Sequence, residues 1–116
     1  SLIRDADRRG VSVRLLVDEW AEEHEPALFR SLDSLDHVAV RIINIEAAGP
    51  NPQRGTVHAK LVIADGSVIL MGSATFSHRQ LEECRNLGVM LQDSATGRVL
   101  RDLFERNWFS VYARAP

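Results

Sequence analysis

Residues 58–73 read HAKLVIADGSVILMGS, and this stretch decides the fold of the chain. Two apolar runs, LVIA and VILM, flank the pair Asp65-Gly66, a dipeptide that favours a tight two-residue turn between antiparallel strands. The pattern therefore predicts a β-hairpin whose strands lie at Thr56–Ala64 and Ser67–Met71.

The predicted hairpin gathers chemically active side chains at one end. Side chains two residues apart on a strand project from the same face, so His58 and Lys60 are expected to point together. The return strand brings the segment Gly72–Thr75, with two hydroxyls, back beside them. An imidazole, an ammonium, hydroxyls and turn N–H groups together predict a cradle for a phosphoryl group. Lys60 is the only lysine of the chain, and ammonium is a compact point charge, unlike the planar guanidinium fork of arginine.

Length and composition predict one compact domain over residues 1–116, with 45% hydrophobic and 26% charged residues. The net charge of −2 excludes a basic domain that coats nucleic acid, so any phosphate binding must be local. The apolar runs are too short to cross a bilayer, and the single Cys84 leaves no internal disulfide, which favours a reducing, cytoplasmic setting. The first residues already read as a helix in progress, so we expect the chain to be a fragment of a longer protein.

Apolar periodicity and turn residues predict the order α-β-α-β-β-β-β-α, a mixed β-sheet flanked by helices in the α/β class. Helices are predicted at residues 1–9, 20–35 and 95–107, with a helical turn at 78–83. Besides the hairpin, strands are predicted at residues 11–17, 38–45 and 87–91.

Specific residues set the predicted boundaries and buried faces of these elements. Gly10 is expected to end the first helix, Pro26 to restart the second and Ser94 to cap the last, while residues 47–55 form a loop. The residues expected to face the core from the second and last helices are Leu28, Phe29, Leu32, Leu35, Val99, Leu100, Leu103 and Phe104.

The spacing of these residues resembles a known signature. His58 and Lys60, then Asp65 after four intervening residues and Gly72-Ser73 after six more, resemble the H-x-K-x4-D-x6-G-S motif of the phospholipase D superfamily. Residues 6–16 and 87–91 resemble the family's segments before and after that motif. The resemblance covers most of the chain and implies a phospholipase D-like half-domain.

The resemblance implies a phosphodiester reaction that needs neither metal nor cofactor and passes through a phosphohistidine. Carried onto this sequence, His58 is the nucleophile or the acid, and Lys60 clamps the phosphate. Ser73 and Thr75 are supporting donors from the turn, and Glu83 is the carboxylate nearest to the position that orients the histidine.

Further residues carry lesser expected roles. Asp65 and Gly72 are structural members of the motif, whereas His78 and Arg79, just after the phosphate turn, are candidates for contact with substrate. His24 and His37 are expected to be surface residues.

Two positions depart from the family pattern. Thr75 stands where the family has asparagine, and a hydroxyl offers one donor where an amide offers two. Asn86 stands where the family has the glutamate that orients the histidine, with Glu82 and Glu83 a few residues earlier.

The expected function is a phosphodiesterase that acts on nucleic acid, as in bacterial nucleases and restriction or phage-defence proteins of this family. One alternative is phospholipid hydrolysis or phosphatidyl transfer, and another is a degenerate domain that keeps the fold for binding or assembly. Because the family's site needs two such histidines and this chain has one motif, the partner is expected to be a second copy in a homodimer or a second half.

Overall fold

The structure is a computed structural model that describes residues 2–45 and 57–116. The chain divides into two compact units, the first comprising residues 1–57 and 106–116 and the second His58–Glu105. In chain order the described elements are α1 (Leu2–Arg8), β1 (Val13–Asp18), α2 (Glu19–His24), α3 (Pro26–Asp33), β2 (Val38–Ile43), β3 (Leu61–Ala64), β4 (Val68–Gly72), a π-helix (Arg79–Glu83), β5 (Gly88–Gln92), α4 (Ser94–Trp108) and β6 (Ala113–Arg114).

The first unit is built on a mixed three-stranded sheet in the order β1-β2-β6. β1 and β2 run parallel with Val13 opposite Val38, and β6 pairs antiparallel to β2. Alternate residues of β2 face the helices, because side chains alternate across a strand. The resulting core holds Leu32 of α3 together with Val40 and Ile42 of β2.

The other face of this sheet carries an arginine–tryptophan stack. The guanidinium carbons of Arg14 and Arg41 lie 5.4 Å and 5.3 Å from the centroid of the Trp108 ring. Arg41 also donates to the backbone carbonyl of Trp108 at 2.6 Å. Such cation–π contacts hold the last residue of α4 against the strands.

The second unit is built on an antiparallel sheet in the order β3-β4-β5. Asp65 and Gly66 join β3 to β4 with φ angles of 51° and 70°, the left-handed pair that a tight hairpin turn needs. The predicted hairpin is therefore confirmed. Ile69 of β4 is fully buried and forms the centre of this unit.

The start of α4 rests on that hairpin. The backbone N–H of Asp93 donates to the carbonyl of Ser67 at 2.9 Å, and the Asp93 carboxylate accepts from the N–H of Thr96 at 2.8 Å. Asp93 therefore caps α4, and the prediction of Ser94 as the cap was wrong by one residue.

The remaining boundaries differ modestly from the predictions. The helix predicted over residues 20–35 is two helices separated at Glu25, because Pro26 lacks the N–H that a continuous helix requires. The strand predicted from Thr56 is formed from Leu61, which pairs with Met71, and Thr56 itself lies outside the described residues. β6 was not predicted, and the loop predicted at 47–55 lies outside the described residues.

Some predicted core positions were also wrong. Leu32 is buried and Phe29 and Leu35 pack against the core, but Leu28 is 45% exposed. Val99 and Leu103 of α4 are 68% and 53% exposed. None of the described helices is long and apolar enough to cross a membrane.

Candidate active site

The hairpin ladder brings the two ends of the motif together. Leu61 pairs with Met71, and one step further the backbone N–H of Gly72 donates to the carbonyl of Lys60 at 3.3 Å. Lys60 and the turn that contains Ser73 are therefore neighbours, as the hairpin pattern predicted. These residues all belong to the second unit.

His58 and Lys60 lie in the segment that leads into β3. His58 is exposed, and Lys60 is half-buried. The Lys60 ammonium donates to the backbone carbonyl of His58 at 2.7 Å, so the cation lies against the backbone of the histidine. Within the part of the chain that the structure describes, no carboxylate forms an ion pair with Lys60. Its charge can therefore attract an anion.

Ser73 is held by a polar network at the start of β5. Its hydroxyl donates to Oδ1 of Asn86 at 3.0 Å and accepts from the N–H of Leu87 at 3.1 Å. The Asn86 amide in turn donates to the carbonyl of Gln80 at 2.6 Å. To donate to a phosphate, the Ser73 hydroxyl has to rotate away from Asn86, since it carries a single hydrogen.

Asn86, just before β5, therefore links the turn at Ser73 to the π-helix through hydrogen bonds. The sequence identified it only as a departure from the family pattern, and its partners lie 13 and 6 residues away. The feature of the sequence that could have indicated this role is the amide itself, because it can donate one hydrogen bond and accept another at the same time.

The carboxylates near the motif lie beside His78. Oε2 of Glu82 is 3.2 Å from Nε2 of His78, and Oε1 of Glu83 is 3.9 Å from Nδ1. All three side chains are exposed, and so are Arg79 and Thr75. Glu83, which the sequence assigned to His58, thus approaches the imidazole of His78 in this structure.

Two motif residues occupy backbone positions that few other residues would tolerate. Asp65 adopts the left-handed conformation in the hairpin turn. At Gly72, an added Cβ would lie 2.7 Å from the carbonyl oxygen of Leu87, which is closer than real Cβ contacts. Both geometries constrain the backbone of the hairpin and of its contact with Leu87.

A groove of about 250 Å³ lies beside Lys60 in the second unit. Its lining includes the apolar side chains of Phe76, Leu81 and Leu87 and the amides of Gln80 and Asn86. The lining thus combines one positively charged residue with mostly apolar walls.

Over residues 1–108 the chain matches the family described as cardiolipin synthase, PLD-like domain. It is 27% identical over 120 residues to the envelope phospholipase of vaccinia virus (strain Western Reserve), covering 99% of this chain and 30% of that protein. It is 30% identical over 95 residues to phospholipase D Y of Dictyostelium discoideum, covering 81% of this chain and 20% of that protein. The chain thus spans less than a third of these relatives.

Two solved structures share the fold. NucT from Helicobacter pylori is 19% identical with a TM-score of 0.79, covering 97% of this chain and 75% of that chain. The phospholipase D family member Nuc from Salmonella typhimurium is 19% identical with a TM-score of 0.72, covering 99% of this chain and 70% of that chain. The α/β class with helices flanking the sheets is confirmed.

Proposed function

Because the chain belongs to the family of cardiolipin synthase, PLD-like domains, we propose that it is one catalytic half of a phosphodiesterase that cleaves nucleic acid. The observation that carries this proposal is the contact between the two ends of the motif. The Gly72 N–H donates to the Lys60 carbonyl at 3.3 Å, so the backbone of the chain's one lysine adjoins the residue that precedes Ser73.

The proposed reaction has two displacements at phosphorus. A ring nitrogen of His58 attacks the phosphodiester, a P–N bond forms, and the P–O bond to the leaving group breaks as a second histidine protonates that oxygen. Water then attacks the phosphohistidine and gives its proton to the second histidine, so that His58 is regenerated. Lys60 offsets the charge on the phosphoryl oxygens, with Ser73 and Thr75 as additional donors, and neither a metal nor a cofactor takes part.

The proposed acid comes from outside the 116 residues. A nucleophile and an acid must hold opposite protonation states, and the motif occurs once in this sequence. We assign the second histidine to His58 of another copy in a twofold dimer or to a second half of a longer protein.

The sequence around the motif supports a nucleic-acid substrate. Residues 54–85 carry three arginines, one lysine and two histidines against three carboxylates, in a chain whose net charge is −2. This local excess of basic groups suits a polyanion, whose backbone phosphates dominate its affinity for proteins. His78 and Arg79 are the proposed contacts to it beyond the scissile phosphate.

A second candidate function is cleavage of a phospholipid diester. The apolar walls of the groove next to Lys60 favour it, and two relatives carry phospholipase names. A third, a degenerate domain used for binding or assembly, is compatible with Thr75 and Asn86 at two family positions.

The test is hydrolysis of bis-p-nitrophenyl phosphate by the chain and its His58→Ala variant, with and without EDTA. Where a second copy supplies the acid, we expect activity that EDTA does not abolish, an acid-labile phosphohistidine trapped on His58, and no activity in the variant; a chain that needs a second half should be inactive alone. His24→Ala is the matched control, because His24 stacks on Trp20 in the first unit. Full activity in a well-folded His58→Ala protein would exclude the mechanism. Comparing a radiolabelled oligonucleotide with phosphatidylcholine vesicles then separates the first two candidates, and binding without turnover would support the third.

A further inference from the structure

The groove beside Lys60 is lined by large apolar side chains that are exposed to solvent. Phe76, Leu81 and Leu87 line it and are 58%, 59% and 75% exposed. Three large apolar side chains around one cavity form a contiguous patch, and such patches mark binding sites. Lys60 also lines the groove, so an occupant that carries an anionic group next to an apolar one suits it.

The size of the groove limits that apolar group. Sites for drug-sized ligands measure about 300–1,000 Å³, whereas this groove measures about 250 Å³. One flat ring system fits this volume, but the long acyl chains of a membrane phospholipid would extend beyond it.

The lining also matches the chemistry of a nucleobase. Phe76 contributes an aromatic ring to the lining, and base–aromatic stacking accepts every base because each has a π-face. Gln80 adds an amide that can bond to the polar edge of a base. Phe76 follows Thr75 and is three residues from Ser73, so a base in the groove would adjoin a phosphate at the cradle.

We propose that the groove binds one unpaired nucleobase, stacked on Phe76, next to the scissile phosphate at Lys60. The inference rests on the proposed function and names its substrate class. A base in a duplex is stacked and paired, so it has to leave the helix to enter. The chain therefore selects single-stranded over double-stranded nucleic acid.

The experiment measures binding by NMR titration of the full chain. The probes are thymidylyl-thymidine, the same sugar–phosphate diester without bases, and dihexanoylphosphatidylcholine as a soluble acyl ligand. In Phe76→Ala, the preference for thymidylyl-thymidine over the base-free diester should fall about tenfold, the loss expected for one stacked base. Phe76→Trp should keep or raise the preference. Phe109→Ala removes an exposed aromatic residue of the first unit and should leave the preference unchanged.

The outcomes separate the base site from the phosphate site. An unchanged preference in Phe76→Ala would overturn the base site, and so would a loss of affinity confined to the acyl ligand. Lys60→Ala should weaken binding of both diesters. If it does not, the phosphate site and the proposed function are wrong, whereas a continued effect of Phe76→Ala would still support base binding.

Discussion

A Cβ atom placed on Gly97 would lie 2.0 Å from the carbonyl oxygen of Gly66. The first turns of α4 and the hairpin turn therefore touch backbone to backbone, and residue 97 is buried there. This contact is made by the turn of the hairpin, whereas Lys60 lies at the opposite, open end. The packing of α4 therefore supports the same hairpin that carries the motif.

Gly97→Ala should destabilise the chain by about 1–3 kcal/mol, the usual cost of overpacking a tight contact. Alanine by itself favours a helix over glycine by about 0.8–1.0 kcal/mol, so a net loss must arise from the collision with Gly66. The free energy of unfolding in urea measures it. Gly88→Ala is the matched control, because its added Cβ would meet only the Met71 carbonyl at 3.8 Å. A Gly97→Ala chain as stable as the wild type would show that α4 and the hairpin turn can move apart at little cost in free energy.

Lys60→Arg should lose activity nearly as completely as Lys60→Ala, by about 10²–10³ in kcat, the typical cost of a lost oxyanion donor. The ammonium reaches the His58 carbonyl at 2.7 Å from a half-buried position, and a planar guanidinium does not fit a site built for a point charge. Hydrolysis of bis-p-nitrophenyl phosphate measures the loss. Arg30→Lys on the exposed surface of α3 controls for the exchange itself, and substantial activity in Lys60→Arg would contradict the point-charge assignment.

Thr75→Asn should raise kcat severalfold. Residue 75 is exposed in the segment after β4, and an amide can supply two hydrogens to the phosphoryl oxygens where a hydroxyl can supply one. The measurement is steady-state hydrolysis of the same diester, with Ser77→Asn as a control substitution two residues along the loop. A fall in kcat would indicate that threonine is adapted to this site.

Mixing His58→Ala chains with wild-type chains should depress activity more than dilution alone. In a twofold dimer every mixed pair lacks either the nucleophile or the acid, so activity should follow the square of the wild-type fraction. Titration at constant total protein measures the curve, and His24→Ala chains provide the inert partner. Activity proportional to the wild-type fraction, from a chain monomeric by light scattering, would show that one motif suffices.

Low pH should remove the contribution that the Asp93 cap of α4 makes to the stability of the fold. Bonds from the Thr96 hydroxyl and N–H lower the pKa of the Asp93 carboxyl below its usual value. A carboxyl whose folded pKa is depressed stabilises the fold above its unfolded pKa, about 3.9, and this stability is lost as the pH falls through the folded value. The difference in Tm between wild type and Asp93→Asn should therefore stay constant above about pH 5 and shrink as the pH falls below about 4. Ser94→Ala should show no such trend, and a constant difference for Asp93→Asn would exclude the carboxylate as its source.

The features that could be predicted are those that depend on residues close together in the sequence. Asp65-Gly66 indicated the hairpin because both residues tolerate left-handed backbone, and the ladder then fixed Lys60 opposite Gly72 without further information. Pro26 marked a helix start because its ring excludes it from a helix interior.

Relationships between distant residues escaped prediction. Ser73 and Asn86 are 13 residues apart, and nothing in their local pattern pairs a hydroxyl with that amide. Val99 fits the helical apolar period of α4 but is exposed. Periodicity identifies the apolar face of a helix, but it does not show how much of that face packs against other elements. The closeness of Gly97 to Gly66 likewise depends on where α4 begins against the hairpin.

The contact of Trp108 with two arginines gives the molecule an intrinsic fluorescent probe. Trp108 is 6% exposed and Trp20 is 61% exposed, and the chain has no third tryptophan. A quencher dissolved in the buffer reaches Trp20 first, so the emission that survives comes from the indole held by Arg14 and Arg41. Fluorescence can thus report on the packing of the end of α4 against the parallel strands, while absorbance reports on hydrolysis of the diester by the second unit.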